Sequence, residues 1–148
     1  MSLLERIDQD LIKALKSRDQ HAADTLRGLK SDIRYYQIDK RIDKVGDDNI
    51  IVVLGSAANR RRDSIEQFGL GGRADLVARE TRELEIIKGY LPEQLSEEEI
   101  LSLVKETIEE TGAVSPSDVG KVMKALMPKV KGRADGKRVK DIVGRTLV

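Results

Sequence analysis

Three observations predict an all-α fold. Apolar residues recur at three- and four-residue spacing along most of the chain, glycines and prolines fall between those stretches, and no partner strand is visible for the one β-branched run. The expected organisation is an N-terminal long-helix domain over residues 1–91, of about four helices, followed by a small C-terminal three-helix domain over 97–148. At 148 residues the chain has room for one ordinary domain or two small ones. Charged residues make up 36%, yet the 39% that are hydrophobic are periodic, which argues against disorder.

The first helix is expected from about Ser2 to Lys16, burying Leu4, Ile7, Leu11 and Leu15. Ser17 or Asp19 caps the second, whose stripe is Ala22, Leu26, Leu29, Ile33 and Tyr36. Gly28 lies beside that stripe and suggests a close helix crossing. The second helix should end between Lys40 and Lys44. Gly46, Asp47 and Asp48 then form a turn in which an Asp caps helix three. Helix three carries Ile50, Leu54, Ala57 or Ala58, Arg61, Ile65 and Phe68 on one side, with the Arg61 stem packing and its guanidinium at the edge. The run IIVVL at 50–54 has strand propensity, but the helical period on both sides overrides it. Gly69, Gly71 and Gly72 read as a helix–helix turn. Neither a preceding strand nor a following P-loop lysine supports a phosphate loop there. Helix four is expected over about Ala74–Tyr90, with Leu76, Val77 or Glu80, Leu84, Ile87 and Leu91 on its face.

The segment YLPEQLSEEE at 90–99 carries the strongest boundary signal. Pro92 ends one helix near Leu91. Ser96 and Glu99 then form a capping box for the next, with Glu97 and Glu98 favoured by its dipole. A domain junction explains this, the alternative being a tight corner inside one continuous helical domain. Helix five should use Ile100, Val104, Ile108 and Thr111 and end at Gly112. Ser115, Pro116 and Asp118 start helix six, which packs Val119, Val122, Met123 and Leu126 and is closed by Pro128. The loop KVKGRADG follows at 129–136. Asp135 caps the last helix, whose stripe is Val139, Ile142, Val143 and Leu147.

Composition removes several function classes. Without cysteine there is no disulfide, no thiol chemistry and no cysteine-rich zinc site. No apolar run is long enough to span a membrane, and the N-terminal residues do not resemble a signal peptide, so a cytoplasmic protein is expected. His21, the only histidine, lies at a helix start with no sign of a positioned catalytic partner. Glu97, Glu98 and Glu99 are successive and point in different directions, so they read as a solvated helix start. No catalytic residue, metal site or cofactor is expected.

Net charge is only +1, but its distribution is uneven. Residues 93–110 carry seven acidic side chains and one basic, whereas 121–145 carry nine basic and two acidic. Lys129, Lys131, Arg133, Lys137 and Arg138 lie on and just after a glycine-containing loop that opens into a helix. Cationic side chains, loop amides and a helix N-terminus together suit phosphate oxygens. Arg60 and Arg62 form a secondary basic surface, with Asp63 and Glu66 near enough to pair.

These segments resemble the YqeY-like proteins, which contain the GatB/YqeY domain. The matching stretches are TLRGLKSDIR at 25–34, RRRDSIEQFGLGGRADL at 60–76 and ELEIIKGYLPEQLSEEEI at 83–100. SPSDVGKVMKALMPKVKGRADGKRVKDIV at 115–143 completes the set. The sequence LGSAANR at 54–60 departs from the more charged helix expected there. The resemblance implies an all-helical two-part fold whose C-terminal part is similar to the tail domain of the tRNA-dependent amidotransferase B subunit, which engages tRNA. It leads to the expectation of a non-catalytic helical module, beside a translation-related protein complex, binding tRNA or another structured RNA through Lys129, Lys131, Arg133, Lys137 and Arg138. Two alternatives remain at this point. One is a protein–protein adaptor whose basic patch docks on an acidic protein surface. The other is an accessory subunit associated with carbon–nitrogen ligase activity.

Overall fold

A computed structural model describes residues Met1–Val148. The chain is all-α and divides into two compact units, Met1–Leu91 and Pro92–Val148. The first holds α1 (Leu3–Lys16), α2 (Gln20–Asp39), α3 (Asp47–Leu70) and α4 (Ala74–Lys88). The second holds α5 (Glu97–Thr111), a 3-10 turn (Pro116–Asp118), α6 (Val119–Val130) and α7 (Gly136–Thr146).

In the first unit, α1 packs on α2 and α3 forms a hairpin with α4. Its core gathers Ile7, Leu29, Ile50, Leu54, Ala57, Ala58 and Ile87, all essentially without solvent contact. The IIVVL run is helical, as its flanking period requires. Two side-chain caps and one tertiary hydrogen bond brace these helices. Ser2 caps α1 by accepting from the Glu5 amide at 3.1 Å. Asp19 caps α2 by accepting from the Ala22 amide at 3.1 Å. The Tyr90 hydroxyl donates to Asp10 at 2.5 Å, while the Arg6 guanidinium lies 5.2 Å from the centre of the Tyr90 ring. Burial, then the bond to Asp10, pushes the Tyr90 phenol well above its usual range.

Several local expectations for this unit are corrected. In α1 the inward residue at the C-terminal end is Ala14, and Leu15 is 44% exposed. The stripe is therefore narrower than the run of leucines suggests. Gly28 marks no close crossing, because a β-carbon there would meet nothing within 4 Å. No Asp caps α3. Gly46 begins that helix, and its amide donates to the Asn49 side chain at 3.0 Å. Asp47 instead reaches across to accept from the Leu3 amide of α1 at 3.0 Å. It meets the orphaned donors of a different helix, a tertiary role with no local sequence mark.

Helix α3 is about 36 Å long at the standard helical rise. Its buried residues, Ile50, Val53, Leu54, Ala57 and Ala58, all lie in its first half. Beyond them the hairpin is held by half-buried apolar residues and by Arg61, which donates to Glu83 at 3.3 Å. Arg79 approaches the other Glu83 oxygen at 3.6 Å. Gly71 and Gly72 make the turn, Gly72 in the left-handed region at φ +70°.

The second unit is a three-helix group around Ile100, Val104, Val122, Leu126, Val130, Val139 and Val143, with Ile142 and Leu147 also buried. The start of α5 matches the sequence reading. The Ser96 hydroxyl accepts from the Glu99 amide at 3.1 Å, and the Glu99 carboxylate accepts from the Ser96 amide at 3.2 Å. Gly112 ends α5 in the left-handed conformation, at φ +69°. Two expectations change. A 3-10 turn precedes α6, and Asp118 braces it by accepting from the amides of Val114 at 2.9 Å and Ser115 at 3.3 Å. Pro128 does not close α6, which continues to Val130. Proline removes one donor within the last turn, but Leu126 and Val130 on either side are fully buried and hold that turn against the core.

The backbone bond to Ser96, then that residue's side chain, holds the Glu99 carboxyl below its usual range. A lowered folded-state value means that its contribution to stability is complete above the unfolded value and is lost as pH falls through the folded one. Glu99→Gln keeps an oxygen for the Ser96 amide but removes the titration. In urea unfolding followed across an acidic pH series, the wild-type midpoint for this unit should fall more steeply than that of the variant. Parallel curves would deny Glu99 this part.

Candidate functional site

The basic segment of the second unit is a braced turn between two helices. Val130 ends α6, Lys131–Asp135 make the turn and Gly136 starts α7. The Val130 carbonyl accepts from the amides of Arg133 at 2.8 Å and Ala134 at 3.1 Å. Gly132 adopts φ +74°, a conformation glycine reaches without β-carbon strain. Asp135 caps α7 by accepting from the Lys137 amide at 3.1 Å, as its position predicts.

Residues 93–95 lie along this turn and fix its shape. The Leu95 amide donates to the Arg133 carbonyl at 2.8 Å, and the Gln94 side chain donates to the Gly132 carbonyl at 2.8 Å. The Arg133 guanidinium donates back to the Glu93 carbonyl at 3.3 Å. These bonds have no sequence signature, because they join residues about forty positions apart. They predict that a fragment starting at Pro92 is more stable than one starting at Glu97. Thermal unfolding of 92–148 beside 97–148 checks this, and the shorter fragment should melt on the order of 10–20 °C lower, at about 1 kcal/mol for each of the three missing bonds.

The five predicted basic residues have distinct surroundings. Lys131 and Lys137 are exposed on the turn and the first turn of α7. Arg138 is exposed and lies 3.8 Å from Glu97. Arg133 is half-buried, its guanidinium tied to the residue 93 carbonyl. Lys129 is not on the loop. It belongs to α6, and its ammonium donates to Glu110 at 2.8 Å and to the buried Thr107 hydroxyl at 3.2 Å. The expectation that it lies on the loop is therefore corrected, and the acidic helix α5, which lies against α6, takes up this charge. Arg145, which the sequence did not single out, lies 3.7 Å from Glu97. In the first unit, Arg60 donates to Asp32 at 2.8 Å and Arg62 to Asn59 at 2.8 Å. Both therefore begin from an existing partner.

Comparison with known proteins adds to this geometry. A family model described as Yqey-like protein matches residues 4–147. The chain belongs to the Yqey-like family. It is 35% identical to the protein named Altered inheritance of mitochondria protein 41, mitochondrial, of Lachancea thermotolerans, over 75% of this chain and 60% of that protein. The relative of the same name in Pyrenophora tritici-repentis is 30% identical over 96% of this chain and 81% of its own length. That of Saccharomyces cerevisiae is 26% identical over 91% of this chain and 65% of its own. This member is an all-helical Yqey-like module, and none of its helices is long and apolar enough to cross a membrane. The cytoplasmic assignment is corrected, because these relatives carry mitochondrial names. Lack of cysteine and of a spanning segment suits any reducing aqueous compartment, so composition never carried that choice.

Proposed function

We propose that this Yqey-like protein is a non-catalytic module that holds a structured RNA, with tRNA the favoured class, through the turn between α6 and α7. The observation that carries this reading is the braced Lys131–Asp135 turn, which presents Lys131 and leads directly into Lys137 and Arg138. A rigid turn lets cationic side chains meet phosphates without the entropic cost of first ordering the loop. Recognition of this kind follows the spacing of phosphates, and hence RNA shape, more than base identity. Arg133 supports the turn and offers its remaining guanidinium hydrogens to the same strand. Lys129 contributes mainly by holding α5 on α6. Arg60 and Arg62 form a lesser basic surface on the first unit.

The test is titration of the full chain with a tRNA transcript and with duplex DNA of similar length, at several salt concentrations. Tighter binding of tRNA at each concentration, with affinity falling as salt rises, is the expected result. Equal affinity for both would reduce the surface to a general polyanion patch. No binding even at low salt would favour a basic docking patch for an acidic protein.

A further inference from the structure

Glu97, at the start of α5, faces two guanidinium groups of α7. It lies 3.8 Å from Arg138 and 3.7 Å from Arg145. The two arginines are seven residues apart, two helical turns, and so share one face of α7. Neither distance is a close hydrogen bond. The three side chains are 59%, 54% and 70% exposed, so water screens the pairs and little holds them closed. Beside them is a groove of about 360 Å³, lined by Glu97, Glu98, Leu101, Ile142, Arg145 and Thr146. Two carboxylates thus stand at this groove, and of these Glu97 is the one that faces both guanidinium groups.

We propose that Glu97 is an internal stand-in for an RNA phosphate, and that a phosphate of the bound RNA displaces it from Arg138 and Arg145. This rests on the RNA reading above and extends that surface from the turn to the far end of α7. A phosphodiester offers two unesterified oxygens, which suit guanidinium forks as a carboxylate does. Its ribose would rest on the edge of Leu101 and Ile142. Glu97 then sets a threshold: an isolated anion competes poorly with it, whereas an RNA already held at the turn delivers its phosphate at high effective concentration.

The arrangement predicts a selective gain. Full-length Glu97→Gln should bind a tRNA transcript about three- to tenfold more tightly than wild type at low salt. Glu98→Gln removes the same charge from the same helical turn and the same groove, but from a side chain that pairs with neither arginine, and should give a clearly smaller gain. In a background of Arg138→Gln with Arg145→Gln, adding Glu97→Gln should give no gain. Circular dichroism confirms that each variant is folded. Equal gains from Glu97→Gln and Glu98→Gln, or a Glu97→Gln gain that persists without the arginines, would overturn the assignment of Glu97 while leaving RNA binding intact. Absence of tRNA binding by wild type and every variant would overturn both readings.

Discussion

Replacing Leu126 with alanine should unfold the C-terminal unit and leave the N-terminal helices in place. Leu126 has no solvent contact and lies in the core that α5, α6 and α7 share. Truncating a buried leucine to alanine costs about 2–5 kcal/mol, combining lost transfer energy with the cavity left behind. A unit as small as Pro92–Val148 has a total stability of the same order, so the loss approaches the whole. The core of Met1–Leu91 contains none of the same residues. Thermal unfolding followed by circular dichroism, with hydrogen exchange to locate the loss, is the measurement. Wild type should keep slow-exchanging amides in α5–α7, and the variant should lose them while keeping those of α1–α3. Simultaneous loss in both units would mean that they fold as one, as in the alternative of a single continuous helical domain.

Reversing the charge of Lys131, Lys137 and Arg138 together should lower affinity for tRNA on the order of a hundredfold at low salt, and should flatten its salt dependence. Each phosphate that is no longer neutralised reduces the slope by about 0.7–0.9, and three added carboxylates repel the strand as well. All three side chains are exposed, so helicity should survive. Lys129→Glu makes an informative companion. It sets a carboxylate against Glu110 and takes a donor from Thr107, so its main effect should be on the stability of the unit. Arg60→Glu with Arg62→Glu should weaken binding less, since both arginines belong to α3 of the first unit and not to the turn. The same titration reads all four proteins. A triple variant that binds like wild type would remove the turn from the interface.

The parts of this fold that could be read in the sequence are those decided locally. Ser96 with Glu99, Asp19, Gly112 and Asp135 all act on their own helix ends within a few residues, and each does what its spacing implies. The stripe Val139, Ile142, Val143 and Leu147 is buried throughout because α7 meets the core with one face. The misreadings share a different cause. Asp47 looks like a local cap but bonds to a residue 44 positions away. Lys129 looks like a loop cation, yet Glu110 holds it from 19 positions away. Pro128 looks like a stop, but burial of Val130 outweighs one missing donor. The candidate site was legible as a cluster of charge. How much of that charge α5 already engages depends on tertiary packing, which no spacing rule expresses.

The uneven burial along α3 has a mechanical consequence. A rod anchored over its first half, and held beyond the Arg60–Asp32 pair with α2 by its hairpin partner, behaves as a cantilever. Its stiffness falls toward Gly71 and Gly72, where Leu70 stands 79% exposed. Arg61, Glu83 and Arg79 act as a rivet part-way along, so fraying that starts at the tip meets a stop before it reaches Ala58. Extra residues spliced between Gly71 and Gly72 would load only the free end, making this the place where the chain can carry an inserted tag without disturbing its anchored half.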